Sequence, residues 1–168
     1  MQHVGRLILV TGYSGAGKST LARTAATVPG VYLFKTTTTR PQRPLEAMSE
    51  YEFVTPDEYA ARRQASHQWD HTEFGGYSYG ADVEAMNNAF SKGKHYICPA
   101  VPDPTVIEDM KQLYAAPVTV IWIDTPLSVA NSRIADDKQR AAPRCNSSLT
   151  SYLRQPAISR QTNRRLKH

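Results

Sequence analysis

The chain has 168 residues, 40% of them hydrophobic, with a mean hydropathy of −0.48 and a formal net charge of +5. That length suits one domain with a real core, and no apolar run reaches the length of a membrane span or a secretory leader. Two cysteines, Cys98 and Cys145, make no metal pattern and no disulfide framework, which suits a reducing cytoplasm.

The charge is unevenly placed. From Lys138 to His168 there are eight Lys/Arg and no Asp or Glu, a segment of +8, while the rest of the chain is near −3. Such an arm meets phosphate, in a nucleotide or along a nucleic acid, or is simply a solvated charged face.

In chain order, Arg6 to Thr11 reads as a buried strand and Lys18 to about Ala26 as a helix. Between them stands Gly12-Tyr13-Ser14-Gly15-Ala16-Gly17-Lys18-Ser19, followed by Thr20, which fits G-x-x-x-x-G-K-[ST]. Glycines let the backbone fold around phosphate oxygens with its N–H groups inward, and the next helix offers its positive end. Lys18 would reach the β/γ-phosphates of a nucleoside triphosphate and the Ser19 hydroxyl would ligate Mg²⁺. A glycine-rich turn that happens to carry Lys-Ser is the bland alternative.

Pro29-Gly30 is a turn and Val31 to Phe34 a short strand, and Lys35 to Pro44, polar and proline-punctuated, is expected to be a loop. On it Arg40 and Arg43, three apart, either face one anion or are surface charge. Tyr51 to Val54 reads as a strand. A helix follows to about Gln64, with Thr55 as N-cap, Pro56 at its first position and Glu58 completing a capping box. Trp69–Thr72 and Tyr77–Gly80 flank a Gly75-Gly76 turn, and Asp82 caps a helix that ends near Ser91 with Gly93 as its stop.

His95 to Val101 is strand-like, Pro102-Asp103-Pro104 turns into a helix over Thr105 to Tyr114, and Val118 to Ile123 is the strongest strand signal. Thr125-Pro126 opens a helix to about Ala135, Asp136 to Ser147 is loop-like, and a last helix begins near Leu149 with Pro156 interrupting it. Strands alternating with helices predict an α/β fold whose parallel sheet is covered on both faces.

Several segments in order resemble guanylate kinase and related P-loop nucleoside monophosphate kinases: Gly12 to Thr20; Thr38-Thr39-Arg40-Pro41-Gln42-Arg43 with Glu46 and Tyr51-Glu52-Phe53-Val54; and Asp70 to Gly80. The resemblance implies a three-layer P-loop kinase fold. Its core would span 1–34 and 81–135, its NMP-binding-like subdomain 35–80, and its lid and C-terminal basic helix 136–168. It implies ATP and Mg²⁺ as cofactors, with the phosphates on Gly12, Ser14, Gly15, Ala16, Gly17, Lys18, Ser19 and Thr20. Arg40, Arg43, Tyr51 and Tyr79 would hold the acceptor's phosphate, which suits forked guanidiniums and phenol donors. Asp70 would read the base edge, with Thr36 near the base. Lys18 and Arg133, with Arg140 and Arg144 in the lid and Arg154 beyond it, would neutralise charge during phosphoryl transfer.

The chain departs from that family where D-x-D is usual: Ile97-Cys98-Pro99-Ala100-Val101 has Pro99 and Val101 instead of the acids. Asp103 is left either to support the metal or to cap a helix. Ala81 replaces a hydroxyl residue, and Asp70 is one methylene shorter than the family's glutamate. These changes fall on the base pocket, so the acceptor is expected to carry a phosphate without necessarily being GMP. The sequence ends about where the family adds a further strand and helix, so donor preference stays open and a sheet one strand short is expected.

Three functions remain in play: a kinase for a nucleoside monophosphate, a kinase for a sugar phosphate or a modified base or terminus of a nucleic acid, and a non-catalytic module binding a phosphorylated partner. The intact Gly17-Lys18-Ser19 speaks against the last, since a scaffold has no use for a γ-phosphate cradle.

Overall fold

In the computed structural model, the residues described are 3–42, 50–100, 102–136 and 160–162. In chain order the elements are β1 (Leu7–Thr11), α1 (Lys18–Ala25), β2 (Val31–Leu33), β3 (Thr36–Thr38), β4 (Tyr51–Phe53), α2 (Pro56–Ala65) and β5 (Trp69–Phe74). There follow β6 (Tyr77–Asp82), α3 (Val83–Ser91), β7 (His95–Pro99), α4 (Pro104–Leu113), β8 (Val118–Trp122), α5 (Leu127–Asp136) and β9 (Arg160–Thr162).

Two sheets result. The first is parallel, in the order β2-β7-β1-β8. Its central strand β1 is an unbroken apolar run because both faces are covered. Leu7 and Leu9 pack with Phe34, Val83, Phe90, Met110 and Tyr114, whereas Val10 packs with Ala22 of α1 and Ile97. Phe34 and Phe90 are buried almost completely, each contributing about 1.5–3 kcal/mol of transfer free energy.

The second sheet, β4-β3-β6-β5-β9, is mixed: β3 runs parallel to β4, and the β3–β6, β5–β6 and β5–β9 pairs are antiparallel. The expected hairpin about Gly75-Gly76 forms, both glycines having positive φ, and β6 runs on to Asp82, two residues past the expected subdomain boundary.

Helix starts follow the local code. Thr55 and Glu58 make the expected capping box, Asp82 accepts from Ala85 N–H at 2.8 Å, and Asp103 accepts from Thr105 N–H at 2.9 Å and from its hydroxyl at 2.7 Å. Asp103 is thus a helix cap, one of the two roles left open for it.

Two expectations are corrected, and a third falls largely outside the described residues. The stretch after Lys35 is not all loop. Thr36–Thr38 is a strand, held by ladders to both neighbours and by Thr38 Oγ1, which donates to Ser78 O at 3.0 Å and accepts from Arg40 N–H. The parallel sheet is not covered everywhere: Val120, Ile121 and Trp122 on edge strand β8 are 41%, 39% and 46% exposed. In the basic arm, the helix expected from Leu149 and its break at Pro156 lie outside the described residues, and residues 160–162 form a strand beside β5. Among the described residues no helix is long and apolar enough to cross a membrane.

Candidate phosphate and acceptor sites

The β1–α1 turn is built for an anion. Helices α2, α3 and α4 each begin with a side-chain cap, but α1 has none and no acid in its first turn; its N-cap is Gly17, at φ 98°. The first N–H groups of α1 are therefore left for a ligand. Gly15 (φ 80°) passes so close to Ala130 O that no Cβ fits, and Gly12 lies at the base of the loop against Ile123 O.

A cavity of about 740 Å³ opens over this turn. Its walls include Ser14, Gly15, Ala16, Gly17, Lys18, Ser19 and Thr20, with Arg23 and Thr24 of α1 and Arg133 and Ile134 of α5. Lys18 Nζ donates to Gly12 O (2.9 Å) and Tyr13 O (2.8 Å), and Arg133 Nη1 donates to Gly15 O at 3.3 Å. Thr11 Oγ1, buried at the end of β1 where the turn begins, has no hydrogen-bond partner among the described residues.

The donor set for a metal is spare. Among the described residues no group of three or more His, Cys, Asp or Glu could hold an ion, and Pro99 stands beside Val10 at the end of β7. One hydroxyl, Ser19, on a cavity wall fits a Mg²⁺ bound chiefly by phosphate oxygens and water.

The second site is a sheet face. Residues in register share a face, and the pairs Thr36↔Tyr51, Thr38↔Phe53, Thr38↔Tyr79, Thr72↔Tyr79 and Asp70↔Ala81 put Thr36, Tyr51, Tyr79 and Asp70 on one side of the second sheet. The rings of Tyr51 and Tyr79 lie 6.3 Å apart. Arg40 extends over that face, its Cζ 5.3 Å from the Tyr51 ring centre and 5.2 Å from that of Phe53, within cation–π range.

Burial, above all, pushes the Tyr51 phenol up to about 12, with the Cys98 thiol, Tyr79 and Glu50 adding to it and Arg40 opposing. The hydroxyl therefore stays a neutral donor at physiological pH. Arg43, Arg140, Arg144 and Arg154 lie outside the described residues, as do Glu46, Val101 and Cys145.

The two sites adjoin. Arg23, on the cavity wall, pairs with Glu50 at 3.2 Å, and Glu50 immediately precedes Tyr51. Arg23 was missed from the sequence because its partner is 27 positions away. Tyr114 was missed as well: its hydroxyl donates to Asp70 Oδ2 at 3.3 Å, across 44 positions, and Asp70 is only 5% exposed. At the end of a helix, Tyr114 looks like any core aromatic.

The opposite face of the second sheet is braced by α2. Tyr59 Oη donates to Tyr79 O (2.7 Å), accepts from Trp69 Nε1–H (3.0 Å) and lies 2.8 Å from His71 Nδ1. A single phenol proton cannot serve both Tyr79 O and His71, so all partners are satisfied when His71 carries its proton on Nδ1 and donates. Burial holds the His71 imidazole below its ordinary 6.5, with Arg63 adding to this and Glu73 and Asp70 opposing.

A histidine depressed in the folded state contributes stability that is present above 6.5 and lost as pH falls below it towards the folded value, because the unfolded chain binds the proton first. Urea midpoints are therefore expected to decline from pH 7 to pH 5, with a shallower slope in His71→Asn. The lowered carboxylates Glu52 and Glu58 titrate below 4.5, outside that window. A slope unaltered by the substitution would place the titration elsewhere.

The guanylate kinase family model matches residues 4–155. A guanylate kinase of Deinococcus radiodurans is 36% identical over 94 residues, 55% of this chain and 39% of that protein. One of Thermosynechococcus vestitus is 37% identical over 95 residues, 55% of this chain and 50% of that protein. The chain thus matches about half, or less, of the length of these relatives. A ribose 1,5-bisphosphate phosphokinase of Rhodopseudomonas palustris is 31% identical over 135 residues, 78% of this chain and 66% of that protein. The crystal structure of guanylate kinase from Anaplasma phagocytophilum shares the fold, with a TM-score of 0.53 at 19% identity, covering 82% of this chain and 74% of that one. With its family model spanning most of its length and its fold that of a P-loop kinase, this chain belongs to the guanylate kinase family.

Proposed function

We propose that this protein transfers the γ-phosphoryl group of ATP to a small phosphorylated acceptor, a nucleoside monophosphate or a phosphorylated sugar, in the cytoplasm. The observation that carries the reading is the uncapped, glycine-wrapped N-terminus of α1, in a cavity whose wall is tied through Arg23 and Glu50 to the face bearing Tyr51 and Tyr79. Two phosphorylated molecules can meet across such a junction.

In this reading the turn from Gly12 to Thr20 holds the ATP phosphates, and Lys18 exchanges its bonds to Gly12 O and Tyr13 O for bonds to phosphate oxygens. Ser19 would hold Mg²⁺ on the protein side, and the ion would supply charge neutralisation on the phosphates. Arg133 lies on the cavity wall, where it can balance charge on the transferred group, with Arg140 and Arg144 assigned the same task from the sequence. Arg40, Arg43, Tyr51 and Tyr79 grip the acceptor phosphate, and Thr36 and Asp70 face the remainder of the acceptor. The chemistry is mostly positioning and charge neutralisation.

One observation favours a phosphorylated sugar over a purine nucleotide. Asp70 is buried and already accepts a hydrogen bond from Tyr114, so its carboxylate is not simply open to a base edge. The Rhodopseudomonas relative named for ribose 1,5-bisphosphate points the same way.

The test is coupled ADP release with ATP and Mg²⁺ across the nucleoside monophosphates and ribose 1,5-bisphosphate. Turnover with at least one acceptor is expected. None with any, alongside tight phosphopeptide binding, would favour a binding module. In the active pair, Arg40→Ala is expected to raise acceptor KM about 10- to 100-fold, the worth of a charge-assisted hydrogen bond, with ATP KM unchanged. An unaltered acceptor KM would contradict the assignment.

A further inference from the structure

The acceptor face carries one polar group with no role in the reading above. Thr72 Oγ1 is buried and has no hydrogen-bond partner among the described residues. Thr72 pairs directly with Tyr79 across the β5–β6 ladder and stands two residues after Asp70 on the same face. A strand advances about 7 Å over two residues, so the hydroxyl adjoins both the phenol that would hold the acceptor's phosphate and the carboxylate beside its far end.

An unpaired buried hydroxyl is destabilising, whereas valine would fill almost the same volume with no such group to satisfy. A ligand that supplies the partner removes the penalty. What lies next to the phosphate of a nucleoside monophosphate or a sugar phosphate is a sugar, and a sugar offers hydroxyls that both donate and accept.

We infer that Thr72 Oγ1 hydrogen-bonds a sugar hydroxyl of the acceptor and so selects a hydroxylated phosphosugar over its deoxy counterpart. This rests on the phosphotransferase reading and adds to it a specificity-determining residue. The hydroxyl would turn towards the ligand and exchange a proton-donating or accepting contact with it, with no covalent step involved. The same chemistry is offered by the ribose of a nucleotide and by a free sugar phosphate, which separate acceptors in the assay distinguish.

The experiment measures kcat and KM for the best acceptor and its deoxy counterpart with the wild type, Thr72→Val and Thr72→Ser, together with ligand-free thermal melting. GMP with dGMP, and ribose 1,5-bisphosphate with its 2-deoxy form, are the two arms. Thr72→Val is expected to raise the KM of the hydroxylated acceptor about three- to tenfold. It should leave ATP KM alone, erase discrimination against the deoxy compound and melt no lower than wild type. Thr72→Ser, which keeps the hydroxyl, is expected to keep the discrimination. If Val is poorly tolerated in the strand, Thr72→Ala carries the same kinetic expectation.

A Val variant that melts higher with wild-type KM and wild-type discrimination would overturn the assignment and leave the hydroxyl as a packing flaw, with the phosphotransferase reading intact. Absence of turnover by the wild type on every acceptor would overturn both.

Discussion

Replacing Lys18 with alanine is expected to lower kcat by about 10²–10³ or more while the protein stays folded. Lys18 Nζ reaches back over the turn to Gly12 O and Tyr13 O in the wall of the cavity over the β1–α1 turn. In the proposed reading a small rotation would carry it from carbonyl oxygens to phosphate oxygens. Its charge matters most when negative charge spreads over the transferred group, so its loss falls on the transition state more than on ATP binding.

The fold does not need that amine. Gly12 O and Tyr13 O can turn to water in an open cavity, and α1 is held beneath by Ala22 packing on Val10 and Ile97. Single-turnover ADP release and a thermal melt separate the outcomes. Normal kcat with a normal melt would remove Lys18 from the chemistry, and with it the reason for preferring an enzyme to a binding module.

What could be read from the sequence is what local rules govern. The apolar run Leu7–Val10 ahead of Gly12, the capping box at Thr55 and Glu58, and the Asp82 cap each depend on neighbours within four residues or so. Each appears as expected. The Thr36–Thr38 strand does not follow from such rules: three polar residues form a strand only because β4 and β6, far along the chain, offer ladders on both sides.

The candidate site divides the same way. The glycine turn is visible as a motif. The gathering of Thr36, Tyr51, Asp70 and Tyr79 on one face was foreshadowed only through family resemblance, because it is a consequence of register between strands, and composition says nothing of register. The Asp70–Tyr114 bond and the Arg23–Glu50 pair join residues 44 and 27 positions apart, so no local pattern could announce them. The exposed side chains of β8 show the converse. Val118 to Trp122 is apolar enough for a buried strand, yet its place at the sheet edge leaves the apolar residues Val120, Ile121 and Trp122 to solvent among the described residues.

Gly80→Ala is expected to destabilise the second sheet by about 3 kcal/mol or more. Gly80 faces α2, and a Cβ there would overlap Trp69 Nε1, Asp70 O and the Tyr59 hydroxyl. The difficulty is space: Gly80 is not among the glycines with positive φ. Asp70 O belongs to the strand paired with β6 and cannot yield without opening that ladder. Trp69 and Tyr59 are both buried and bonded to each other, so moving either breaks a satisfied pair in a dry site. Because Tyr59 also holds the Tyr79 carbonyl, the shift is transmitted to the acceptor face.

Acceptor binding is therefore expected to fall with the urea midpoint, while an ATP analogue, which the proposed reading places at the turn between β1 and α1, is retained. Adding Trp69→Phe removes the Nε1 atom that the new methyl meets. The double variant should then lose less stability than the two single losses combined, the sign of a shared contact. Strict additivity, or a normal midpoint in Gly80→Ala alone, would show that the tyrosine, the tryptophan and this glycine do not form the tight brace behind Tyr79 on which the acceptor site depends.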